Sequence, residues 1–98
     1  MITNIQAQWE VNSHLRDTIL KKIEKFSVYD NRIIHVDVFL KLGETPSPND
    51  KLVEIRVRVP GPEIFAESHA DTYEKAMANA AEKIRKQLVK RKEKRQNR

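Results

Sequence analysis

Cysteine is absent, glycine occurs only twice, and aromatic residues make up 6% of the 98 residues. Without a thiol there is no disulfide framework, no thiolate metal site and no cysteine nucleophile. Gly43 and Gly61 stand far apart, so no glycine-rich loop exists to cradle a phosphate. The histidines, His14, His35 and His69, have neither H-x-x-x-H nor H-x-H spacing and read as solvated surface imidazoles. Ser13, Ser27, Ser47 and Ser68 lack the context of a nucleophile elbow. No catalytic residue, metal site, cofactor or small-molecule substrate is therefore expected. No apolar run approaches the roughly 18 residues of a membrane span, and Met1 is followed by neither a basic flank nor an apolar targeting core. The expected location is the cytoplasm, with no membrane partner.

What is abundant is charge, and it is unevenly placed. Nineteen Lys and Arg face fourteen Asp and Glu, for a net charge of +5. Residues 1–71 carry nine basic and eleven acidic side chains, whereas residues 72–98 carry ten basic and three acidic ones. A near-neutral body thus bears a cationic C-terminal arm.

Hydrophobic periodicity divides the body into six elements. Ile2–Trp9 reads as a short strand with Ile5, Ala7 and Trp9 on one face. Asn12 or Ser13 caps a helix running to about Ser27, because Leu15, Ile19, Ile23 and Phe26 recur every three or four residues. Ile33–Leu42 alternates, with Ile34, Val36, Val38, Leu40 and Leu42 inward and His35, Asp37, Phe39 and Lys41 outward. Gly43–Asp50 is a loop. Leu52–Val59 alternates again, Pro60-Gly61-Pro62 reverses the chain, and Ile64–Ala70 makes a fourth, weaker strand. A last helix from Asp71 or Thr72 carries an apolar stripe of Tyr73, Ala76, Met77, Ala80, Ala81, Ile84 and Leu88.

The order β-α-β-β-β-α predicts an α+β two-layer sandwich, a four-stranded sheet with two helices on one face and the other face wet. The first two strands, joined through a helix, should be parallel. One domain spans 1–98, with 90–98 a basic helix extension or tail that the core does not need.

That extension is the one feature above background. Eight basic residues between Arg85 and Arg98 stand against a single acid, Glu93, more than a helix C-terminus needs to oppose its dipole. A dense cationic helix end suits a polyanion, since each phosphate it neutralises releases counterions. A solvated tail, an acidic protein surface and a membrane surface remain open on composition alone. Arg16, Lys21, Lys22 and Lys25 of the first helix extend the positive surface into a ridge. With few aromatics on that ridge, shape and phosphate recognition of folded RNA is expected rather than base reading; Phe39 is the main exposed ring and Tyr29 a weaker candidate.

Taken in order, these segments resemble a known family. Leu15-Arg16 with Lys22 and Lys25, the strand end Val38-Phe39-Leu40-Lys41, and Glu54-Ile55 with Val57 carry the likeness. So do Val59-Pro60-Gly61, Ile64-x-Ala66, Asp71-x-Tyr73 and the run from Lys83-Ile84 through Gln87-Leu88 to Lys90 and Lys92. Together they are similar to the short form of the ribosome hibernation-promoting factors, the protein Y / ribosome-associated inhibitor or sigma-factor modulation family. The resemblance implies a non-enzymatic translation inhibitor that occupies the 30S subunit, within the 70S ribosome, where mRNA and the A- and P-site tRNAs would lie. It implies action under stress or in stationary phase, a monomer when free, and no C-terminal domain for pairing ribosomes. Carried over by position, the rRNA-facing residues would be Arg16, Lys22, Lys25, Lys41, Lys83, Lys86, Lys90 and Lys92. Arg85, Arg91, Lys94 and Arg95 extend the same surface by charge. Relatives often have an Asp where this chain reads Ala76-Met77-Ala78, and a His where it has Arg91. The competing readings are a regulatory module docked on an acidic protein, such as a transcription factor, and a general structured-RNA binder.

Overall fold

The computed structural model describes residues 1–43 and 50–96. Most of the expected Gly43–Asp50 loop, and the expected tail end at Asn97 and Arg98, lie outside the described residues. The elements are β1 (Ile2–Gln6), α1 (Ser13–Glu24), α2 (Phe26–Tyr29), β2 (His35–Leu42), β3 (Lys51–Arg58), β4 (Ile64–Ala70) and α3 (Tyr73–Gln96).

Strand order follows the chain, β1-β2-β3-β4. β1 pairs parallel with β2, as a strand–helix–strand connection requires, and the two later pairs are antiparallel. Register sorts the side chains by face. Thr3 and Ile5 lie opposite Val36 and Val38, while Asn4 and Gln6 lie opposite Asp37 and Phe39. Val36, Val38, Leu40, Val53, Ile55, Val57, Ile64 and Ala66 face the helices and are buried. Against them pack Leu15, Ile19 and Ile23 of α1, Phe26 of α2, and Ala76, Met77, Ala80, Ile84 and Leu88 of α3. The α+β two-layer sandwich, with the helices on one sheet face, is thus as the periodicity predicts.

Local chemistry accounts for the boundaries. Asn12, in extended conformation, accepts a hydrogen bond from the Leu15 amide at 2.9 Å and starts α1. Thr72 does the same for α3, accepting from the Lys75 amide at 3.1 Å. Gly61 has φ +94, a conformation side-chain-bearing residues avoid, and so permits the reversal between two prolines. Asp30 is buried, and its carboxylate accepts from the Arg32 amide at 2.9 Å and pairs with the Arg32 guanidinium at 3.3 Å, fixing the turn into β2.

Four expectations need correction. β1 stops at Gln6, so Trp9 is not a strand residue, although Ala7 still packs against the core. The first helix does not run unbroken to Ser27. It breaks at Lys25 and resumes as α2, with the Ser27 hydroxyl donating to the Glu24 carbonyl. Ile34 and Leu42 are exposed, at 51% and 74%: Ile34 precedes β2 and Leu42 is its last residue, so the alternation does not carry burial to its ends. Two histidines are paired rather than simply solvated, His35 with Asp37 at 3.0 Å and His69 with Asp50 at 2.5 Å.

Candidate nucleic-acid interface

Charge separates by layer. Residues 13–25 present Arg16, Lys21, Lys22 and Lys25 against Asp17 and Glu24, and α3 presents nine cations against three acids. The open sheet face instead balances Lys41, Arg56 and Arg58 against Asp37, Glu54 and Glu67. Helix periodicity causes this: the stripe that meets the sheet is apolar, so the cations are confined to the outer surface of the helical layer.

α1, α2 and α3 meet along a cleft of about 240 Å³ lined by Lys22, Lys25, Phe26, Tyr29, Ala78, Ala81, Glu82 and Arg85. Small residues on α3 let its backbone approach, so the cations stand around an apolar floor. Arg85 is oriented twice. Its Nε donates to Glu82 at 2.9 Å, and its guanidinium lies 6.0 Å from the centre of the Tyr29 ring. Hydrogen bonding to Arg85 holds the Glu82 carboxyl below its ordinary pKa and raises that of Arg85. Asp71 is likewise lowered, chiefly by its hydrogen bond to Lys75. Both carboxylates therefore favour the fold at pH above their ordinary values, and that contribution fades as pH falls through their lowered ones.

One row of α3 is committed to the protein itself. Lys83 Nζ donates to the Glu67 carbonyl at 2.8 Å, Gln87 Nε2 to the Phe65 carbonyl at 3.0 Å, and Arg91 to the Pro62 carbonyl. Four helical residues advance about 6 Å and two strand residues about 6.8 Å, so Lys83 and Gln87 follow alternate carbonyls of β4, and Arg91 reaches the turn before it. β4 is an edge strand whose outward carbonyls would otherwise be open to another chain. Within the expected 90–98 extension, Arg91 is thus tied to the turn before β4.

The expected site residues therefore divide. Arg16, Lys22, Lys25, Arg85, Lys86, Lys90, Lys92 and Lys94 lie on the helical layer. Arg95 belongs to the same helix, its side chain outside the described residues. Lys83 and Arg91 flank this surface but are bonded to β4 and its leading turn. Lys41 is not among them: it points from the opposite sheet face, paired with Glu54 at 2.9 Å and 5.7 Å from the Phe39 ring centre. Sequence reasoning passed over Gln87, whose role depends on where β4 lies, and left Trp9 in a strand. Among the described residues, no cluster of His, Asp or Glu could hold a metal ion, and no helix is long and apolar enough to cross a membrane.

The architecture and its one-sided charge define a small α+β module with a cationic helical layer and an electrically balanced sheet face. The chain belongs to the family described as Sigma 54 modulation protein / S30EA ribosomal protein, whose profile matches residues 3–96. This is a family of non-enzymes. Among curated proteins, two ribosome hibernation promoting factors of Pseudomonas putida are 34% identical to it over 99 residues, which cover 99% of this chain and 92% of theirs. Two solved structures share the fold. A ribosomal subunit interface protein from Coxiella burnetii has TM-score 0.82 and 22% identity over 94% of this chain and 98% of its own. The protein Y N-terminal domain of Thermus thermophilus has TM-score 0.75 and 21% identity over 90% of this chain and 93% of its own.

Proposed function

We propose that this chain is a cytoplasmic ribosome hibernation factor that inhibits translation by lodging, as a monomer and a single domain, in the decoding region of the 30S subunit. The segregation of cations onto the helical layer carries this reading. A layer with Arg16, Lys22, Lys25, Arg85, Lys86, Lys90, Lys92, Lys94 and Arg95 meets rRNA phosphates, while the balanced sheet face turns away from them. Lys83 and Arg91 position α3 on β4 and contribute positive potential beside the contacts. Occupancy is the mechanism: while the domain is bound, mRNA and tRNA are excluded from the same space.

The test is co-sedimentation with purified 30S and 50S subunits across a salt series. Six to eight phosphate contacts give a slope of log affinity against log salt of roughly −5 to −7. Selective 30S binding with that slope, competed by tRNA, is the expected result. Salt-insensitive association would overturn the phosphate reading, and association that survives ribonuclease would move the chain to an acidic protein partner. Equal affinity for free duplex RNA would make it a general RNA binder.

The cleft supplies a second measurement. Glu82→Gln removes the carboxylate that holds Arg85 and leaves the guanidinium free for a phosphate. Ribosome affinity should rise about two- to fivefold, the worth of one exposed ion pair. A fall instead would mean that Glu82 sets the Arg85 geometry that RNA requires.

A further inference from the structure

A groove of about 380 Å³ opens at the corner where β1 ends at Gln6 and β2 runs on to Leu42. Its walls include Gln6, Gln8, Trp9, Phe39 and Lys41. It lies at the carboxyl ends of the parallel strand pair, the end at which open sheets with crossover helices commonly take their ligands.

Trp9 is the chain's single tryptophan, and it is 38% exposed and outside the buried core. Its ring is nevertheless held in place. Tyr73 lies against it, with ring centres 5.4 Å apart and planes inclined by 40°, and the Tyr73 hydroxyl donates to the Lys41 carbonyl at 3.0 Å. A large aromatic surface is thus fixed by a neighbour and left partly open to solvent. Gln6 and Gln8, both exposed, bring amide donors and acceptors to the same groove.

The groove's electrostatics decide among ligands. Among the described residues that line it, the one cation, Lys41, is compensated by Glu54 at 2.9 Å, and Arg56, 5.7 Å from the centre of the lining Phe39 ring, is paired with Glu63 at 3.6 Å. This corner is therefore not a phosphate site like the helical layer. A partly exposed indole in a groove also lined by two glutamine amides suits a neutral planar group with donors and acceptors on its edge, which is the description of a nucleobase. α1 and α3 both start at this corner and carry most of their cations toward the far end of the sheet, so RNA held at Lys90 reaches the groove by running roughly 25 Å back along α3.

We propose that this corner groove receives one unpaired base of single-stranded RNA, stacked on Trp9 and read by the amides of Gln6 and Gln8. The proposal rests on the reading of the helical layer as an RNA-binding face only for the origin of the base. It adds base recognition to a surface whose other contacts are indifferent to sequence.

Trp9 reports on its own site. The full chain is titrated with a short oligoadenylate and, at the same salt, with an abasic oligomer of equal length, while tryptophan emission is followed. Saturable quenching by the oligoadenylate and none by the abasic strand is expected. The double variant Gln6→Ala/Gln8→Ala should weaken the oligoadenylate response about tenfold, the cost of losing hydrogen bonds to a base edge. Lys90→Ala/Lys92→Ala/Lys94→Ala should weaken overall affinity yet reach the same quenching at saturation. Absence of quenching, equal quenching by the abasic strand, or indifference to the two glutamines would overturn the proposal. Selective 30S co-sedimentation without a base-dependent signal would sink the groove alone. Base-dependent quenching without 30S binding would sink the ribosomal reading and leave the groove standing.

Discussion

Replacing Lys90, Lys92 and Lys94 together by alanine is expected to lower ribosome affinity by roughly 10- to 100-fold and leave thermal stability almost unchanged. The asymmetry follows from where these side chains stand. The core ends at Leu88, and the three lysines are exposed and make no ion pair among the described residues. Their substitution should therefore change folding stability by no more than about 0.5 kcal/mol. Arg91 is spared, because its bond to the Pro62 carbonyl ties the helix to the turn before β4 and its loss would blur the result. At the ribosome each lysine neutralises a phosphate at about 0.5–1 kcal/mol, and each phosphate left without its lysine should flatten the salt dependence by nearly one power. The two readouts check each other: a loss of affinity with an unchanged salt slope would mean that the lysines act through shape. Unchanged affinity would leave this end of α3 in bulk solvent when the protein is bound.

How far the sequence reveals this arrangement depends on the range of the interactions involved. β4 is read to the residue, Ile64–Ala70, because Pro60-Gly61-Pro62 and the Asp71-Thr72 cap bracket it with local signals. The sandwich is legible because Val36, Val38, Leu40, Val53, Ile55 and Val57 keep an unbroken period of two under a helical stripe of period near 3.6. Ile34 and Leu42 show the limit of that pattern: they are in phase but exposed, one just before β2 and the other at its end, and the pattern does not say where burial stops. The break at Lys25 escapes the pattern for a related reason. Ile19, Ile23 and Phe26 stay in helical phase across it, and only the bonds around Asp30 reveal that the chain has begun a new turn. The cationic surface is visible in composition, but its division is not. Lys83, Gln87 and Arg91 look like neighbouring positions until β4 supplies the carbonyls they bond. Lys41 is a different case: strand alternation alone already puts it on the open sheet face, and only the family resemblance groups it with the helix cations.

α3 combines the two kinds of residue on one rod, and this permits a test that separates fold from contact. The helix contributes Ile84 to the sheet interface at 0% exposure, between Ala80 and Leu88, with Lys83 and Arg85 on either side in sequence. Ile84→Ala deletes the larger part of a fully buried side chain where the packed sheet can close the gap only in part. A loss of about 3 kcal/mol is expected, within the range for such deletions. In a domain of this size that corresponds to a fall of roughly 12–24 °C in the thermal midpoint, read by circular dichroism. Yet no cation has been removed and the helix still reaches the same turn through Arg91. At a temperature where the variant remains folded, its ribosome affinity should therefore stay within about threefold of the parent, under about 0.7 kcal/mol. A loss as large as that of the triple lysine variant would show that the cations act only when α3 is held rigidly against the sheet. In that case the packing of Ile84 would matter to binding as much as the lysines of α3 do.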